Sequence, residues 1–335
     1  MNGKQRCLAR IHNQPADRVP VFPLLMFYAQ QRAGITYREF ATNHHALAEA
    51  QLSIHERFPV DALTVCSDAF RLPADLGAEM SYPENKTPFA HRALIASPQD
   101  LQRLGHPDPM ARGSRMHDRV QAVEELVKSA GDECLVCGWV EMPFAEACSL
   151  VGVSDFMMLL LDDPAFAHEI LEFVTGLEIE FALAQLAAGA PLIGAGDAAA
   201  SLISTAQYAE FALPYEQRVV NAIHQANGLA KLHICGDTSH LLDQMAQSGA
   251  DLINVDHLVA FDKACCAYGE RGVCFKGNLD PVTDLFQATP EHCATVCRER
   301  IKQAAGLPYM LSPGCEVPPG TPDAVFEAFC LSAKL

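Results

Sequence analysis

Residues 228–256 read GLAKLHICGDTSHLLDQMAQSGADLINVD. Two short apolar runs, Ala230 to Cys235 and Leu252 to Val255, flank a segment, Ser239 to Ser248, whose apolar residues recur at helical spacing. Strand, helix, strand at this length is the repeating unit of a parallel sheet. The same alternation runs outward in both directions. Further strand-like runs fall at Val19 to Leu25, Ala62 to Cys66, Cys134 to Val140, Leu192 to Ala195, Val273 to Gly277 and Tyr309 to Leu311. Helical patterns lie between them at His44 to Phe58, His117 to Ala130, Pro164 to Ala188, Ala206 to Ala226 and Glu291 to Ala304. Eight strands alternating with helices predict an α/β fold, and no G-x-G-x-x-G turn follows the first run, which favours a closed (β/α)8 TIM barrel over an open doubly wound sheet. The expectation is a single barrel domain over residues 1–335 with an N-terminal helical extension. Ala78 to Ala96 reads as a strand-rich excursion after the second barrel strand.

Composition narrows the function. Half of the 335 residues are hydrophobic, enough for a large core, and 24 Lys+Arg against 41 Asp+Glu give a net charge of −17. That sign disfavours general nucleic-acid or anionic-membrane binding, in which phosphate contacts supply much of the affinity. No apolar run approaches the length of a membrane span and no secretory h-region is visible, so a cytoplasmic location is expected. The 13 cysteines, odd in number and scattered, do not suggest a disulfide framework.

In such barrels active residues sit at the C-terminal ends of strands. That places Asp68, Glu141, Asp197, His233, Cys235, Asp256, His257, Asn278, Asp280 and Cys315 around one mouth. On a strand, residues two apart share a face, so His233 and Cys235 point together while Ile234 packs outward. Cys315, on a loop after the last run, can reach back over the mouth. One imidazole and two thiolates suit Zn²⁺, and three protein ligands leave an open position, the mark of a catalytic site. An open zinc site binds a substrate thiol as thiolate and keeps a nucleophile available for methyl transfer at neutral pH. Asp68, Glu141 and Asp197 are the carboxylates expected to orient substrate or tune that site, with helix capping as the structural alternative for each. Cys134 and Cys137 face opposite sides of a strand, while Cys293 with Cys297 and Cys265 with Cys266 lack partners to complete a site, so all six read as core thiols.

Several segments together resemble the uroporphyrinogen decarboxylase superfamily in its corrinoid-dependent methyltransferase branch. They are Asp17-Arg18-Val19-Pro20-Val21, Ser67-Asp68, Leu72-Pro73, Leu76-Gly77, Pro214-Tyr215, His233-Ile234-Cys235-Gly236, Gly277-Asn278-Leu279-Asp280-Pro281 and Pro313-Gly314-Cys315. The resemblance covers nearly the whole chain and implies a (β/α)8 barrel. It also implies a zinc held by H-x-C and a late cysteine, which activates a thiol such as coenzyme M for methylation by a corrinoid protein. The zinc motif is similar to that of cobalamin-independent methionine synthase, whose acidic fourth ligand would correspond here to Asp256 or His257. The arginine-rich R-Q-A-G-R segment of the decarboxylases is replaced by Leu25 to Arg32, whereas Asp68 matches the decarboxylase catalytic aspartate. Glu141 stands where the resemblance leads us to expect a small residue, and its carboxylate suggests a cationic or amine-bearing substrate. The leading expectation is therefore a zinc-dependent methyltransferase moving a methyl group between a corrinoid (cobalamin) and a small acceptor such as a thiol, coenzyme M or tetrahydrofolate. No D-x-H-x-x-G motif is present, so the corrinoid is expected free or on a partner protein. A homodimer is the expectation for a soluble enzyme. The alternatives are a metal-free lyase using Asp68 and a non-catalytic corrinoid-binding protein with structural zinc.

Overall fold

A computed structural model describes residues 1–334. Seven parallel strands form one curved sheet: β1 (Ala62–Thr64), then β4 (Leu135–Glu141), β5 (Leu192–Gly196), β6 (Leu229–His233), β7 (Leu252–Asn254), β8 (Cys274–Leu279) and β9 (Tyr309–Pro313). The Ala78 to Ala96 excursion contains the antiparallel pair β2 (Met80–Ser81) and β3 (Phe89–Ala90). Helices connect successive strands, the longest being Pro164–Ala187, so the fold is the expected TIM-barrel type.

The first run differs from the sequence expectation. Val19 to Leu25 is not a ladder strand but makes isolated parallel bridges, Val21 to Leu311 and Leu24 to Glu316. Pro20 and Pro23 carry no N–H, which interrupts the ladder. The segment still fills the gap between β9 and β1. Phe22 N donates to Leu311 O at 3.0 Å, and Asp61 N donates to Val21 O at 2.9 Å. Ala206 to Ala226 is likewise not one regular helix. A widened turn at Tyr208–Ala212 separates Thr205–Gln207 from Leu213–Gln225, and Pro214 sits in the first turn of the latter.

Alternation along the strands sorts the interior into layers. The lower layer packs Phe22, Ala62, Leu135, Cys137, Leu192, Leu252, Cys274 and Met310 against Cys7 and Ile11 of the N-terminal helix Gly3–Ile11. Two residues further up β6, β7, β8 and β9 the interior turns polar, with Lys231 and Lys276 buried over the Phe22 ring, their Nζ atoms 5.7 Å and 4.3 Å from its centroid. A second, larger apolar cluster lies between sheet and helices and includes Ile234, facing outward as expected. Among the described residues, no single helix is long and apolar enough to cross a membrane.

Asp61 fastens the seam that the prolines leave open. Its Oδ1 accepts from Arg6 at 2.5 Å and Arg18 at 2.9 Å, and its Oδ2 from Arg18 at 2.8 Å and from Val21 N at 2.7 Å. Removing that charge leaves Arg18 without its carboxylate, whereas Arg6 keeps Asp17 at 2.7 Å, and breaking such a buried pair costs about 3–5 kcal/mol. Asp61→Asn is expected to lower unfolding free energy by roughly that much in urea titration. A loss under about 1 kcal/mol would show that the seam is held by other means.

Candidate metal centre and acid-lined mouth

The strand-end residues converge as the topology requires. His233 closes β6, Cys235 follows two residues later, and Cys315 arrives on the loop after β9. Cys235 Sγ lies 3.0 Å from His233 Nε2 and 3.7 Å from Cys315 Sγ, and the three donor atoms all lie within 4.8 Å of one another. Two sulfurs bound tetrahedrally at 2.3 Å from zinc stand about 3.8 Å apart, so the observed sulfur separation matches the donor set. The His233 ring is set by an edge contact with Trp139, centroids 6.5 Å apart, while its Nδ1 is buried without a partner.

The loop that delivers Cys315 depends on Gly314. Its N donates to Leu279 O at 2.8 Å, its O accepts from Asn254 Nδ2 at 3.0 Å, and a Cβ there would sit 2.3 Å from His257 N. The two thiols titrate as a pair. Across their 3.7 Å contact, and next to His233, Cys315 is held below the ordinary thiol range and Cys235 above it. One sulfur is thus poised as thiolate.

Asp256 and His257, the candidates for a fourth ligand, are not brought into this cluster. Asp256 Oδ1 pairs instead with His257 Nδ1 at 3.0 Å and accepts from Leu258 N at 3.0 Å. Asn278 spends its amide on Val259 O at 2.6 Å, and Asp280 caps the turn at Val282.

The donors open into an inner chamber of about 290 Å³, whose wall includes Met26, Cys66, Asp68, Trp139, Glu141 and Glu316. A vestibule of about 650 Å³ lies outside it and shares Ala69, Phe70, Glu141, Ala198 and Cys235. Two of the three predicted carboxylates line this space. Asp68 is held by Arg115 Nη2 at 2.7 Å, Ser67 Oγ at 2.7 Å and Phe70 N at 3.0 Å. Although burial opposes it, the guanidiniums of Arg115 and Arg71 keep Asp68 below its ordinary range. Glu141 behaves differently. It accepts from Arg71 at 2.6 Å and Trp139 Nε1 at 3.2 Å, yet burial outweighs both and raises it to about 7.

Asp197 is the correction. Its Oδ1 accepts from Ala145 N at 2.8 Å, near the start of the helix Pro143–Val151, and it pairs with Glu216; it lines neither cavity. The strand end faces a helix N-terminus there, and the carboxyl is used as a cap.

Four residues of the mouth escaped the sequence reading: Arg71, Arg115, Trp139 and Glu316. Burial, followed by the neighbouring Cys315, raises Glu316 to about 8 even though it accepts from the backbone of Phe27. Its place beside Cys315 was an available signal. Arg115 comes from the start of the distant helix Arg115–Ala130 and carried none.

The uroporphyrinogen decarboxylase (URO-D) family profile matches residues 2–334. The methylcobamide:CoM methyltransferase MtbA of Methanosarcina acetivorans is 28% identical over 344 residues, covering 99% of this chain and 97% of that protein. The uroporphyrinogen decarboxylase of Xanthomonas axonopodis pv. citri is 29% identical over 296 residues, covering 83% of this chain and 82% of its own. Among solved structures, a methyltransferase from Methanosarcina mazei superposes with a TM-score of 0.89 at 23% identity, over 99% of this chain and 98% of that one. A B12-independent methionine synthase from Shewanella sp. gives a TM-score of 0.57 at 14% identity, over 87% and 86%. The two structural matches are likenesses of fold.

Behind the mouth, buried acids pair with one another. Glu146 pairs with Glu178 and Asp197 with Glu216, and burial raises all four, Glu178 to about 8 and Glu216 to about 7. An acid with a raised folded pKa holds more protons folded than unfolded between its ordinary value, about 4.3 for Glu, and the raised one. Stability therefore falls as pH rises through that window. Glu178→Gln removes one such proton, so its melting temperature is expected to fall less than that of the unmodified protein between about pH 5.5 and 8.5. Identical slopes would contradict a raised Glu178 in the folded protein.

Proposed function

Because the chain belongs to the uroporphyrinogen decarboxylase family, we propose that it is a zinc-dependent methyltransferase of that family's corrinoid branch. It moves a methyl group between a corrinoid, free or on a partner protein, and a small thiol or other acceptor, with the whole chain acting as one barrel unit. The observation that carries this reading is the convergence of His233 Nε2, Cys235 Sγ and Cys315 Sγ at the barrel mouth. Its near full-length similarity to a methylcobamide:CoM methyltransferase supports it.

His233, Cys235 and Cys315 would hold the ion, and no fourth His, Cys, Asp or Glu among the described residues completes the cluster, which leaves a position for substrate. A zinc ion there supplies a Lewis acid that lowers the pKa of an incoming thiol. Trp139, Met26 and Leu24 line the inner chamber and give that sulfur an apolar wall. Glu141, backed by Arg71, positions the rest of the acceptor, while Asp68, fixed by Arg115, forms part of the chamber wall. In the transfer the acceptor sulfur gains the S–CH₃ bond and its proton leaves to solvent through the vestibule, while the donor keeps the electron pair of the broken bond.

The lyase reading rests on Asp68 and on the similarity to Xanthomonas decarboxylases. An Asp68 carboxylate already saturated by Arg115, Ser67 and Phe70 N has little capacity left for a substrate cation. A purely structural zinc calls for four protein ligands, and Asp256 and His257 are engaged with each other.

Variants separate these readings. Cys235→Ser and Cys315→Ser are each expected to lose bound zinc and at least about a hundredfold in methyl transfer from methylcobalamin to a thiol, with chelation of the unmodified protein doing the same. Full activity after complete chelation would contradict the mechanism. Decarboxylation abolished by Asp68→Asn and untouched by Cys315→Ser would establish the lyase instead.

A further inference from the structure

Glu141, Gly196 and His233 lie side by side on one register line across β4, β5 and β6. Neighbouring strands stand about 4.8 Å apart, so one strand separates Glu141 from His233, and its residue has no side chain. Both hydrogen bonds to the Glu141 side chain, from Arg71 and Trp139, end on Oε1. Oε2 instead leans over Gly196, where an added Cβ would come within 2.7 Å of it. Glycine at this position keeps the path between the carboxyl and the metal-binding imidazole clear.

The charge of the walls completes the picture. Asp68, Glu141 and Glu316 line the inner chamber, and no lysine or arginine lines it among the described residues. Asp68 has its donors, whereas Glu141 Oε2 faces the cavity. Arg92 lines the vestibule but not the inner chamber. A sulfonate or carboxylate tail on a short thiol would meet carboxyl oxygens and no cationic donor. An ammonium would gain a charge-assisted hydrogen bond.

We propose that the acceptor is a short aminothiol, its sulfur directed to His233, Cys235 and Cys315 and its ammonium to Glu141 Oε2. The inference rests on the methyl-transfer reading above and names its substrate class. Glu141 and His233 stand two strand spacings apart, about 9.6 Å, but Oε2 leans over Gly196 on the strand between them, so the remaining gap is about one spacing, which a two- or three-carbon aminothiol spans. Discrimination comes from exclusion of anionic tails as well as attraction of the amine.

The test uses cobalt(II)-loaded protein, whose thiolate-to-metal absorption band changes when another thiol binds. Cysteamine, 2-mercaptoethanol and 2-sulfanylethanesulfonate share a two-carbon thiol and differ in tail charge. Cysteamine is expected to bind tightest, about tenfold over 2-mercaptoethanol, as one charge-assisted hydrogen bond gives, with the sulfonate weakest. In Glu141→Gln the margin is expected to shrink to within about twofold. Gly196→Ala, which pushes the carboxyl aside without removing it, should reduce the margin as well. A margin that survives Glu141→Gln would mean that the amine ligates the metal instead, and would overturn the inference. A sulfonate that binds as tightly as cysteamine would also overturn it. If none of the thiols changes the band, the methyl-transfer reading itself fails and the inference falls with it.

Discussion

Two sulfurs 80 residues apart in sequence, on Cys235 and Cys315, lie 3.7 Å apart beside one imidazole, and the barrel exists around that contact. It requires β6 and the end of β9 to reach the same height at the same mouth, which in turn requires the ring to close. Closure is completed by a proline-interrupted segment whose main-chain bonds go to Leu311 on one side and Asp61 on the other. Asp61 at the bottom and Gly314 at the top are therefore linked. One secures the seam, and the other lets the last loop pass His257 closely enough to place a thiol.

The vertical arrangement of the interior explains why chemistry concentrates at the mouth. Apolar side chains fill the lower layer, two buried lysines occupy the middle, and acids with soft donors occupy the top. The acids do not share one state. Asp68 stays ionised between guanidiniums, Glu141 is raised to about 7 by burial, and the acids behind the mouth are likewise raised by burial. The formal charge of −17 counts every one of these groups as ionised, so it overstates the negative charge of the folded interior.

The sequence was most informative where chemistry follows from local geometry. His233 and Cys235 were legible because strand spacing puts residues two apart on one face. Cys315 was legible from its position after the last strand. Asp68 and Glu141 line the cavity beside the thiols, where the strand-end rule expects them, whereas the strand end at Asp197 meets a helix N-terminus that takes the carboxyl as a cap. Asp256 and His257, which the resemblance offered as a fourth ligand, are adjacent and pair with each other. Arg71 and Arg115 set the charge of the acids through contacts between distant elements, which no spacing reveals. Pro20 and Pro23 were a visible sign that the first stave would lack a regular ladder.

The most direct measurement of the central claim is X-ray absorption at the zinc edge on zinc-loaded protein, with and without an added thiol. The account predicts two sulfur neighbours at about 2.3 Å with a nitrogen near 2.0 Å, and a third sulfur when the thiol is present. A first shell of oxygen and nitrogen alone, unchanged by thiol, would contradict it.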